Sequence, residues 1–139
     1  MIDRTDPMGA HAIERLERER TGWLTTVTPD GQPQTMPVWF LWQDGEILVY
    51  GRRRAVRNAN LAANTRVAFV LNTDDEGADL VIIEGEATVV PNERAAADNE
   101  MYIAKYRSLI EGYGWTPESF STDYPHTIRI RPTRVRLDS

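Results

Sequence analysis

Cysteine is absent from the chain, and histidine occurs only at His11 and His126. The first absence removes disulfides, thiolate nucleophiles and Cys-ligated zinc. The second leaves neither HxxxH nor HxH spacing, so no metal site is expected. No apolar run approaches the roughly 18 residues that a membrane-crossing helix needs; Leu80–Ile83, in the longest β-rich stretch, falls far short. The opening MIDRTDPMGAHAIERLERER has no apolar segment of the secretory kind, so the expected compartment is the cytoplasm, with no membrane partner. Positive charge is in deficit, 16 Lys and Arg against 21 Asp and Glu, for a net −5. That balance argues against a nucleic-acid partner, whose backbone calls for a basic surface. The nucleophile elbow GxSxG and the phosphate loops GxGxxG and GxxxxGK[ST] are also missing. Asp74, Asp75, Glu76 and Asp79 lack the twelve-residue spacing and terminal glutamate of a calcium loop, and read as a solvated acidic loop.

What is present fits one α+β domain over residues 1–139. Met8, Ala12, Ile13 and Leu16 recur at helical spacing and predict an amphipathic opening helix. Six strands are predicted: Trp23–Thr28, Thr35–Trp42, Ile47–Tyr50, Arg66–Asn72, Leu80–Val90 and a closing HTIRIRPTRVRLD. Pro29-Asp30-Gly31 and Asp44-Gly45 are turn signals, so the first three strands read as a meander. Pro37 within its strand calls for a sheet edge or a bulge. In the last strand Ile128 and Ile130 share one face while Val135 and Leu137 have the opposite parity. A one-residue slip near Pro132 and Thr133 restores one apolar face. Gly85 marks a bulge or sharp coiling in the strand before it. Between the strands, Ala55–Asn64 and Asn92–Glu111 read as helices. The second carries Tyr102, Tyr106, Leu109 and Tyr113 as a stripe, assigned to core or a dimer interface rather than to a cofactor. Thr116-Pro117 starts a further helix. Short strands with tight early turns predict a six-stranded, mainly antiparallel split barrel with peripheral helices.

Two constellations can carry chemistry. Arg52, Arg53 and Arg54, followed by Arg57 and Asn60 on one helical face, sit where a strand gives way to a helix. Helix N-termini and arginine forks both suit phosphate, although a solvated basic turn reads equally well. Met36, Pro37, Val38 and Trp39 offer an apolar shelf beside backbone groups that a strand proline leaves out of the ladder, as a flat heterocycle requires; core packing is the alternative. Pairing across the Asp44-Gly45 turn is expected to set Tyr50 opposite Thr35–Pro37, and so to bring the basic turn beside that shelf.

The run TTVTPDGQPQTMPVWFLWQDGEILVY, then RNANL from Arg57, then NTRVAFVL, IIEGEATVV, YIAKYRSLIEGYGWTPESF and RIRPTRVR, resembles the pyridoxamine-phosphate-oxidase-like split-barrel superfamily over nearly the whole chain. The likeness is strongest to its actinobacterial coenzyme F420-dependent branch. It implies a homodimer with cofactor in clefts between the subunits, F420 or FMN as that cofactor, hydride transfer to a small conjugated or heterocyclic substrate, and no assignable acid or base. In such proteins a serine or threonine ends the third strand and a lysine opens the next helix, both on the cofactor phosphate. Here those positions are Gly51 and Arg57, and a frequent arginine two residues later is Ala59 while Asn60 is kept. The implied cofactor-binding set is Met36, Pro37, Val38, Trp39, Tyr50, Gly51, Arg52, Arg54, Arg57 and Asn60. An F420-dependent reductase is the first reading, an FMN-dependent oxidoreductase the second, and a non-catalytic flavin- or haem-binding protein the third.

Overall fold

Alternating inward apolar and outward polar residues build most of the strands of a computed structural model that describes residues 1–138. Helix α1 (Pro7–Arg18) comes first, capped by the Asp6 side chain on the Gly9 N–H. Strands β1 (Thr21–Val27), β2 (Pro33–Trp39), β3 (Leu41–Gln43) and β4 (Glu46–Gly51) follow. After α2 (Val56–Ala63) come β5 (Arg66–Val70) and β6 (Leu80–Val89). A 3₁₀ turn (Ala96–Asp98), α3 (Glu100–Gly112), α4 (Pro117–Asp123) and β7 (His126–Asp138) complete the chain. All pairings are antiparallel, in the order β2-β1-β5-β6-β7-β4-β3.

There are seven strands rather than the six predicted, because Thr35–Trp42 divides at Phe40. Its first part pairs with β1 and its second with β4, at opposite edges of the sheet. One residue thus joins the two edges, and the sheet curls on itself to allow it. The backbone of Phe40 is satisfied from α3 instead of a ladder. Its N–H donates to the Tyr106 hydroxyl at 2.8 Å, and its carbonyl accepts from Lys105 Nζ at 2.9 Å. The Lys105 ammonium also sits 3.9 Å from the centre of the Phe40 ring, and burial pulls this amine down to about 8. Strand propensity could not reveal the break, since it depends on groups more than sixty residues away.

Two apolar clusters flank the sheet. Inside the curl, Leu24, Phe40, Ile47, Phe69, Ile83, Ile128 and Ile130 meet Ala12, Ile13 and Leu16 of α1. Full burial of each large aliphatic or aromatic side chain stabilises by about 1.5–3 kcal/mol. Outside, Leu41, Leu48 and Tyr50 of β3 and β4 meet Tyr102, Ile103, Tyr106 and Ile110 of α3 and Phe120 of α4. Strand β4 is therefore apolar on both faces.

Several local predictions coincide with the structure. Asp44 and Gly45 both have positive φ, 56° and 75°, as a two-residue hairpin turn demands. Pro37 lies on edge strand β2. The register shifts between Glu84, opposite Arg134, and Gly85, opposite Pro132, leaving Thr133 as the extra residue. The helix predicted over Asn92–Glu111 begins only at Glu100, because the Asn99 side chain caps the Tyr102 N–H and turns the preceding chain into a short 3₁₀ turn. The acidic loop is not wholly solvated. Asp79 pairs with His11 and with Arg15, whose buried guanidinium also donates to the carbonyls of Asp79 and Asn72 and so ties α1 to the loop. No helix among the described residues is long and apolar enough to cross a membrane.

Candidate ligand-binding cleft

A cleft of about 300 Å³ opens where the end of β2 and the end of β4 face the α3–α4 corner. Pro37, Val38 and Trp39 line one side, with Tyr50 and Arg57 beside them. The other wall, Tyr102, Tyr113, Trp115, Phe120 and Tyr124, is aromatic throughout. The register of β3 on β4, Leu41 opposite Leu48, extends to set Tyr50 level with Trp39 rather than with Thr35–Pro37. The two-residue Asp44-Gly45 turn already pairs Gln43 with Glu46, and that register carried to Tyr50 reaches Trp39, two to four residues from the expected Thr35–Pro37.

Local chemistry holds the aromatic wall. Gly114 takes φ +86°, which ends α3 and lets the Trp115 N–H reach the Ile110 carbonyl at 3.1 Å. Thr116 and Ser119 form a reciprocal capping box that starts α4. The Trp115 indole N–H donates to Asp123 at 3.0 Å. Trp39 stacks on Tyr106 at 4.9 Å and on Phe120 at 5.7 Å, while Phe120 stacks on Tyr124 at 4.5 Å. Trp115 meets both Phe120 and Tyr124 edge to face. Stacked and edge-to-face pairs of this kind favour a rigid wall suited to a flat ring.

Arg57 is the cation of this cleft. It is half-buried, its Nε is buried with no hydrogen-bond partner, and no carboxylate pairs with it among the described residues. Burial pushes its guanidinium below the ordinary arginine range. A Cβ at Gly51 would collide with the Arg57 Nη2, so glycine leaves room for the fork to lie over the strand end. Across the ladder from Gly51, His126 has an unpartnered, buried Nδ1; burial and then Arg57 and Arg53 hold its pKa below the usual imidazole value. An uncompensated cation of this kind is poised for an anion.

The remaining sequence-predicted residues divide. Arg52 is exposed, and its guanidinium lies 4.7 Å from the centre of the Tyr124 ring, at the cleft. Arg53 and Arg54 are exposed, and neither lines the cleft. Asn58 fixes the basic turn by donating to the carbonyls of Arg52 and Arg53. Gly51 is buried. Asn60 is buried and donates to Thr26 Oγ1 and Gln34 Oε1, each at 2.9 Å, tying α2 to β1 and β2. Met36 is 58% exposed and borders a neighbouring groove with Gln34 and Val56, which Arg57 also lines. Arg57 thus stands where the two depressions meet. The α3–α4 wall was not among the predicted site residues; its tyrosine stripe was assigned to core or interface. No cluster of acidic and histidine residues suited to a metal ion occurs among the described residues.

Curled antiparallel sheet and ligand-sized cleft together define a split-barrel protein. The chain belongs to the pyridoxamine 5'-phosphate oxidase family, whose profile matches residues 8–138. Among solved structures it is similar to an F420 reductase, at 27% identity over 88% of this chain and 94% of that one, with a TM-score of 0.66. It is also similar to a conserved hypothetical protein of Mycobacterium tuberculosis, at 28% identity over 93% and 83% of the two chains, with a TM-score of 0.72. A heme storage protein of Vibrio cholerae shares the fold at 22% identity, over 91% and 92%, with a TM-score of 0.63. No protein of curated function matches the chain.

Proposed function

We propose that this protein is an F420-dependent reductase acting on a small conjugated or heterocyclic compound in the cytoplasm. The observation that carries the reading is the half-buried, uncompensated Arg57 at the end of an aromatic cleft. These residues fit a cofactor made of a flat ring and a phosphate. Arg57, with Arg52 at the rim, would hold the anion through charge-assisted hydrogen bonds. The β2 edge at Pro37–Trp39 and the aromatic wall would orient the ring and exclude water. When bound, the deazaflavin supplies hydride chemistry, and the chain supplies position. The likeness to an F420 reductase supports this choice over FMN. Titration of the purified protein with F420 and with FMN tests it. Saturable binding of F420 is expected; tighter binding of FMN would favour an FMN-dependent oxidoreductase, and binding of neither would overturn the cofactor reading.

A second copy of the chain completes the proposal. The outer face of β1, β5 and β6 carries Trp23, 41% exposed, with the half-buried Thr25, Ala68, Val70 and Ile82. Glu84 and Glu86 lie there between Ala68 and Arg66 on β5 and Arg134 and Arg131 on β7. A face bearing an apolar centre and both signs of charge can meet its own copy across a two-fold axis. Cofactor in a cleft closed by the partner follows from the resemblance. Light scattering at micromolar concentration should return twice the chain mass; a monomer would refute the dimer, and with it a cleft closed by the partner.

A further inference from the structure

Three tyrosines are buried side by side beneath the cleft, and their hydroxyls are treated differently. The Tyr50 hydroxyl donates to the Arg94 carbonyl and accepts from Asn99 Nδ2. The Tyr106 hydroxyl accepts from the Phe40 N–H and lies within hydrogen-bonding distance of the Arg20 and Phe40 carbonyls. Tyr102 is 0% exposed, lines the cleft, and its hydroxyl has no partner among the described residues. A buried hydroxyl without a partner destabilises the fold that contains it. Phenylalanine would fill the same space without that cost, so the tyrosine hydroxyl is left free for a partner from outside the chain.

We propose that the Tyr102 hydroxyl donates a hydrogen bond to an acceptor atom, a carbonyl oxygen or ring nitrogen, of a planar ligand held against the α3–α4 aromatic wall. The cleft then selects flat anionic compounds that carry a second, neutral acceptor on the ring, with the anion on Arg57. Burial and the neighbouring tyrosines raise the Tyr102 pKa far above its ordinary value, so the group stays protonated and acts as donor. The inference rests on the reading of this cleft as the ligand site and adds to it a donor on the wall opposite the basic turn.

Tyr102→Phe tests it against four probes followed by tryptophan quenching: FMN, F420, 7-hydroxycoumarin-3-carboxylate, and naphthalene-2-carboxylate, which has no acceptor beyond its anion. The variant should melt at the same or a higher temperature than the parent. It should bind at least one acceptor-bearing probe about tenfold more weakly and naphthalene-2-carboxylate unchanged. Loss with the coumarin alone, FMN and F420 failing to bind the parent, would uphold Tyr102 and overturn the cofactor reading. FMN or F420 binding that falls in Arg57→Ala but not in Tyr102→Phe would do the reverse. Equal weakening for all probes with a lowered melting temperature would mark a structural role and overturn the proposal, as would binding of no probe by the parent.

Discussion

Arg57→Ala is expected to weaken binding of the phosphate-bearing cofactor by about ten- to a hundredfold while the protein keeps or gains thermal stability. A charge-assisted hydrogen bond to phosphate is worth about 1.5–3 kcal/mol, which converts to that range in affinity. The stability half of the result follows from the same geometry. The Arg57 Nε is buried without a partner, and burial already disfavours its charged form. Removing it relieves a desolvation cost and breaks no ion pair. Arg57→Lys should recover part of the loss, since it restores charge but not a planar fork. Isothermal titration of FMN and F420, with melting curves beside it, separates the two halves. Affinity for both compounds indistinguishable from that of the parent would show that their phosphates bind elsewhere.

Tyr106→Phe should have its large effect on the fold instead, lowering stability by about 2–3 kcal/mol. The lost hydroxyl accepts from the Phe40 N–H at 2.8 Å and lies 2.6 Å from the Arg20 carbonyl, with the Tyr106 ring itself buried in the second cluster. Phe40 is the single residue through which β2 becomes β3, so the orphaned N–H falls where the two sheet edges are joined. Lys105 still serves the Phe40 carbonyl in the variant, which limits the damage to one donor and the Arg20 oxygen. Urea unfolding should show a lower midpoint with an unchanged slope. A change below about 0.5 kcal/mol, the scale of an ordinary surface substitution, would mean that Tyr106 does not hold the strand break. The same substitution one helical turn earlier, at Tyr102, is expected to leave stability unchanged or to raise it. The pair therefore distinguishes a hydroxyl used by the fold from one kept for a ligand.

Much of the architecture was determined by short-range sequence alone. Asp44-Gly45 turns a hairpin because both residues tolerate the positive φ that a two-residue turn requires. The parity change between Ile130 and Val135 requires a slip, and Thr133 is where it falls. Thr116-Pro117 starts a helix because its side chain and ring satisfy that first turn. The family resemblance, spread along the chain in order, likewise needed no coordinates.

Only the tertiary structure decided which polar atoms are left over, and the candidate site consists largely of such atoms. The sequence assigns Arg52, Arg54 and Arg57 alike to the cofactor, yet Arg57 alone is drawn over Gly51 with an unpartnered buried Nε, while Arg54, like Arg53, remains in solvent. Tyr102 and Tyr106 share one helical stripe, but only Tyr106 meets the backbone of Phe40, 66 positions away in the chain. The Phe40 break was hidden for the same reason, since its hydrogen bonds come from α3 and not from neighbours in sequence. Periodicity reports which face of an element is buried. Whether a buried donor finds an acceptor depends on contacts between elements distant in sequence, and those exist only once the sheet has curled and α3 has docked against it.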